Sequence, residues 1–112
     1  MENEEGTDEL AEESGKYYRM DLEDRLIDFG AVATDLAELL PPTRTGNHIA
    51  GQMVRCSTSP MLNYGEAQAA ESRQDFIHKM KVVLKELRET RVCIKFILRK
   101  RLISDKNASK PL

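Results

Sequence analysis

The chain has 112 residues, room for one domain of ordinary size. Its net charge of -2 hides an uneven distribution: seven of the 19 acidic residues fall in residues 1–15, which hold no Lys or Arg, leaving 12 acids against 17 bases in the remainder. No apolar run approaches a membrane span, and the acidic start is wrong for a signal peptide, so the sequence reads as cytoplasmic with no membrane partner.

Residues 1–16, with Leu10 as the only large aliphatic side chain, bury too little surface to offset their ordering entropy and read as a disordered acidic tail. A helical bundle domain is expected over residues 17–104. Its first helix is predicted from Met20 to Leu40, because Leu22, Leu26, Phe29, Ala33, Leu36 and Leu40 recur at four- and three-residue steps on one face. Asp21 is the expected N-cap, and Pro41-Pro42 ends the helix. Gly30, which costs about 1 kcal/mol against Ala inside a helix, is either a point of close helix approach or a tolerated exposed glycine.

In the middle segment Ile49, Met53, Cys56, Pro60, Asn63, Ala67 and Ala70 keep the same spacing straight through the proline. Two readings compete: a bend at Pro60 within one helix, or Ser59 as N-cap and Pro60 as the first residue of a new helix. Unbroken phase favours the bend, with Ser57, Thr58 and Ser59 as hydroxyl donors to the freed carbonyls. Asn63 takes a core-facing phase, where one buried amide fixes register, and Gly65 lets another backbone approach. Tyr64 and Glu66 lie off that line, towards a neighbouring helix or subunit.

The third helix is predicted from about Gln74 to Leu102, opened by Ser72 and Asp75. Phe76, Met80, Val83, Leu87, Thr90, Ile94 and Ile97 form its stripe, widened by Ile77, Leu84, Leu98 and Leu102. At about 1.5 Å per residue it spans about 43 Å and needs partners of comparable length. Short links make the order up-down-up, an antiparallel all-α bundle. Cys56 and Cys93 fall inside helical patterns without metal-ligand spacing and read as reduced packing residues.

From Arg25 to Thr90 the blocks RLIDF, HIAGQ, TSP, NYGEA, ESRQDFIHK and KELRET stand in order. This stretch closely resembles the bacterial four helix bundle protein family, also described as 23S rRNA intervening-sequence proteins. The resemblance implies an antiparallel four-helix bundle assembled as a homopentamer. It further implies similarity to the accessory variability determinant of diversity-generating retroelements, a basic pentamer that binds nucleic acid and a reverse transcriptase. It supplies no catalytic residues. Two departures stand out. After KELRET the family places a Tyr-Trp pair where this chain has Val92-Cys93, which changes that contact surface. The family's fourth helix is also missing or truncated, since residues 105–112 read as a connection leading towards it.

One polar face carries the functional expectation. At about 100° per residue, Lys81, Lys85, Arg88, Lys95 and Arg99 share an arc of about 80° on the third helix. A basic strip about 27 Å long suits several phosphates, and so RNA or another nucleic acid bound through its backbone. The competing reading is a solvated face, its cations suited to the helix C-terminus, with Glu86 and Glu89 pairing locally. No aromatic residue interleaves with the strip in this reading, so base stacking has no support. An alternative function is a scaffold that docks a protein partner on the oligomer surface. Catalysis lacks a constellation: neither His48 nor His78 has a Glu three residues before it for a di-iron bundle, and no nucleophile, phosphate-loop or zinc pattern appears, so no cofactor or metal is expected.

Overall fold

The computed structural model describes residues 22–103, and among them it is all helix and turn, with no strand. Three antiparallel helices pack in chain order: α1 over residues 22–38, α2 Arg44–Gln68 and α3 Arg73–Lys100. The acidic tail, Met20, Asp21 and the connection at 105–112 lie outside the described residues.

The ends of the helices differ from the sequence expectation, each for a local reason. Helix α1 stops at residue 38, two residues early, because the ring of Pro41 disfavours helical backbone at Leu40. The last turn tightens instead, with Leu39 N–H donating to Leu36 O at 3.0 Å and Leu40 N–H to Ala37 O at 3.2 Å. Helix α2 begins at Arg44 with Thr43 as its N-cap, whose Oγ1 accepts from Gly46 N–H at 3.0 Å. Ala69 caps α2, so Ala70 lies beyond the helix. Ser72 caps α3 as expected, accepting from Asp75 N–H at 3.0 Å. Leu102 is not helical: Arg101 takes the left-handed region at φ 57°, and Leu102 N–H turns back to Ile97 O at 3.0 Å. That turn carries Ile103 into the core beside Ala33, Ala37, Met53 and Ile97.

Helix α2 runs unbroken through Pro60, which is buried. The nearby hydroxyls serve other groups than the carbonyl freed by the proline. Thr58 Oγ1 donates to Val54 O at 2.7 Å, Ser59 Oγ accepts from Asn63 Nδ2 at 2.8 Å, and Ser57 Oγ is buried without a partner among the described residues. Asn63 is satisfied inside its own helix, its amide also reaching Ser59 O at 3.0 Å. It makes no cross-helix bond that would set register among the described residues. Gly65 is exposed, and no described atom lies within 4 Å of the position a Cβ would take. The close approach is at Gly30, buried against α2 with its virtual Cβ 3.1 Å from Ser57 O. Glu66 does reach α3, pairing with Lys79 at 2.7 Å.

Both outer helices carry a second apolar stripe beside the one that packs on α2. On α1 these are Leu22, Phe29, Val32, Leu36 and Leu39; on α3 they are Ile77, Met80, Leu84, Leu87, Ile94 and Leu98. Val32 is 62% exposed, Leu84 52% and Leu98 64%. At about 100° per residue, each second stripe is rotated by about 100° from its helix's buried side. The rotation runs one way on α1 and the other way on α3. Since these two helices run parallel, both stripes face the same side of the bundle.

Candidate nucleic-acid interface

Helix α3 positions the basic strip. Its inner edge is fixed by Val83, Thr90 and Ile97, all buried at seven-residue intervals, so the residues on the far side stand in solvent. Lys81, Lys85, Arg88, Lys95 and Arg99 are all exposed. Among the described residues none of the five forms an ion pair.

The acidic neighbours do not neutralise the strip. Glu86, expected at its side, points inward: it is 7% exposed and its Oε1 has no hydrogen-bond partner among the described residues. Glu89 is half-buried and forms no salt bridge among the described residues. Thr90, beside Glu86, donates to Glu86 O at 2.9 Å and lies 3.1 Å from Cys56 Sγ, tying α3 to α2 beneath the strip.

The sequence reading missed part of this surface. Arg55 on α2 adds a cation from the facing helix, with its guanidinium donating to Gln52 Oε1. Gln52, Arg55, Cys56, Lys85, Arg88, Glu89, Val92 and Cys93 line a cleft of about 530 Å³ between α2 and α3. A second hollow of about 300 Å³ lies along α3 among Val92, Lys95, Phe96 and Arg99. Phe96 is 42% exposed, so an aromatic ring does stand among the cations, against the expectation that none interleaves. A strip defined only by the positions of its charges passed it over, because Phe96 sits on the edge of the arc. Arg55 was invisible for a different reason: only the packing of α2 on α3 brings it alongside.

The cleft holds two free thiols, Cys56 buried and Cys93 half-buried. Burial, followed by the charge and hydrogen bond of Cys56, pushes the Cys93 thiol above the ordinary cysteine range; Glu89 adds to the shift and Arg55 opposes it. Cys93 is therefore held in its neutral thiol form at neutral pH. Both histidines are exposed, His48 on α2 and His78 on α3, and among the described residues no three His, Cys, Asp or Glu side chains gather as a metal site.

The three-helix core and the blocks that fill it are matched from residue 27 to residue 111 by the model of the 23S rRNA-intervening sequence protein family. The chain belongs to that family. A crystal structure at 1.70 Å of another protein, from Bacteroides thetaiotaomicron VPI-5482 and of the S23 ribosomal protein family, is similar to this family member at 29% identity. The TM-score is 0.68, over 76% of this chain and 79% of that one, and that protein is described as one of unknown function. No curated protein matches the chain. Among the described residues, no helix of this family member is long and apolar enough to cross a membrane.

Proposed function

We propose that the protein is a non-enzymatic, oligomeric helical-bundle protein that binds nucleic acid, RNA in preference, through the basic face of α3. The observation that carries this reading is the unneutralised strip of Lys81, Lys85, Arg88, Lys95 and Arg99, extended across the cleft by Arg55. A solvated helix face ordinarily mixes its charges, whereas of the two carboxylates within the strip's span Glu86 is buried and the half-buried Glu89 forms no ion pair among the described residues. Exposed cations aligned along a helix recognise a line of phosphates and release counterions on binding. Replacing Lys81, Lys85, Arg88, Lys95 and Arg99 together by Gln tests it. Retention on labelled RNA at low salt should be lost while the helical spectrum and oligomer size stay unchanged. Equal retention by the variant, or none by the parent, refutes the reading.

A second reading rests on a different observation, the exposed apolar stripes of α1 and α3. They support assembly into a homo-oligomer, with five subunits the number the resemblance implies, and a surface on which a protein partner docks. Light scattering of the parent and of Leu84→Glu decides the assembly. The parent should exceed the monomer mass and the variant should fall towards it.

A further inference from the structure

We propose that the basic face reads unpaired nucleotides, so that single-stranded RNA rather than a duplex is its ligand. This rests on the nucleic-acid reading above and gives it a substrate class. The two depressions beside the strip and the residues that line them support it.

Phe96 offers a ring to solvent between Lys95 and Arg99, and the hollow it lines is walled by both of those cations. A half-exposed aromatic flanked by phosphate-binding side chains is the arrangement on which bases of single strands stack. Val92, 63% exposed, is shared by this hollow and by the larger cleft, so the two depressions adjoin. Four residues separate Val92 from Phe96, a rise of about 6 Å along α3.

The cleft has the composition of a base pocket. Its volume of about 530 Å³ exceeds that of the Phe96 hollow, and its floor is made by Cys56 and Cys93, with Cys93 held in the neutral thiol form. Arg55 and Arg88 present planar guanidinium groups, which stack on bases as well as bind phosphate. Gln52 completes the set. Its Oε1 is engaged by Arg55, which fixes the amide and leaves its NH₂ to donate to a base edge.

A duplex uses none of this. Its bases are paired and stacked within a stiff rod, and the rod would rest on the exposed cations with both depressions empty. A flexible strand instead lays its phosphates along Lys85, Arg88, Lys95 and Arg99 while one base stacks on Phe96 and a neighbour enters the cleft.

The test uses the full chain and a short labelled RNA of mixed, non-self-complementary sequence, free or annealed to its complement, at one fixed salt concentration. The single strand should bind about tenfold more tightly than the duplex, and Phe96→Ala should lose about tenfold for the single strand alone. Phe96→Tyr should restore single-strand binding, and Gln52→Ala should weaken it without touching the duplex. Equal or tighter duplex binding, or a Phe96→Ala protein with unchanged single-strand affinity, overturns the inference while the basic-strip reading stands. If neither RNA form is retained at low salt, both fall.

Discussion

The glycines give the most direct test of the packing. Gly46 is buried at the third helical position of α2, and a Cβ there would lie 1.9 Å from Pro41 O, 3.0 Å from Pro41 C and 3.1 Å from Thr43 Oγ1. The obstructing atom is a backbone carbonyl held by the Pro41-Pro42 pair, so a side chain fits only if the α1–α2 connection opens. Opening it also withdraws Thr43 from its cap. Overpacking costs about 1–3 kcal/mol and the lost cap about 1 kcal/mol, while Ala returns up to about 1 kcal/mol of helix propensity. Gly46→Ala should therefore destabilise by about 2 kcal/mol, a fall in Tm of about 10 °C for a domain of this size.

Gly51 and Gly65 are internal controls, exposed on α2 with no described atom within 4 Å of a virtual Cβ. Ala at either should stabilise by about 1 kcal/mol through propensity alone. At Gly30 the two effects oppose each other, since a Cβ meets Ser57 O at 3.1 Å, and the change should lie between the extremes. Thermal melts by circular dichroism at one protein concentration should rank the variants Gly51→Ala and Gly65→Ala above Gly30→Ala, with Gly46→Ala lowest. A Gly46→Ala protein that melts with the parent or above it would refute the reasoning.

Other expectations follow from single groups. Glu86→Met removes a buried carboxylate oxygen that has no partner among the described residues and should raise the urea midpoint, by about 1 kcal/mol in stability; a lower midpoint would refute the expectation. Because its pKa is raised, Cys93 favours its protonated form more in the folded state than in the unfolded one. The stability this confers is present below the unfolded thiol pKa and is lost as pH rises through the folded one. Iodoacetamide should accordingly label Cys93 more slowly in folded than in urea-unfolded protein at mildly alkaline pH. RNA affinity should fall with salt at a log–log slope of about 0.7 for each phosphate engaged on a single strand, and Lys95→Gln should lower that slope by about one phosphate.

The bundle was legible because its information is periodic. Met53, Cys56, Pro60 and Ala67 hold one phase through α2, and all four are buried where that phase puts them. Helix ends were less legible, since they depend on local stereochemistry: the restriction Pro41 places on Leu40 and the left-handed turn at Arg101 each shorten a helix that periodicity alone would extend. Glycine was hardest to read. Nothing in the sequence tells Gly30, pressed on α2, from Gly65, which stands open, because the difference lies in the neighbouring helix. Asn63 was placed by its phase alone, which does not reveal that its amide donates to Ser59 one turn back in the same helix. The basic strip was visible as a run of cations on one face, whereas Arg55, Gln52 and the cleft exist only once α2 and α3 are paired.

Helix α3 divides its circumference among three tasks, and their order around the axis bears on function. Val83, Thr90 and Ile97 face α2; about 100° away stands the exposed apolar stripe of Ile77, Leu84 and Leu98; about 80° further stands the basic arc. The basic face is thus bordered by the cleft with α2 on one side and by the apolar stripe on the other. A subunit or helix laid on that stripe would leave the cations uncovered at its rim, where charges are better solvated than buried. Assembly and nucleic-acid binding then use adjoining faces without competing for side chains. Leu84→Glu should disturb the oligomer first, and Lys95→Gln should disturb RNA retention alone. If Lys95→Gln dissociated the assembly, the basic face would lie inside a subunit contact and the division of labour argued for α3 would be wrong.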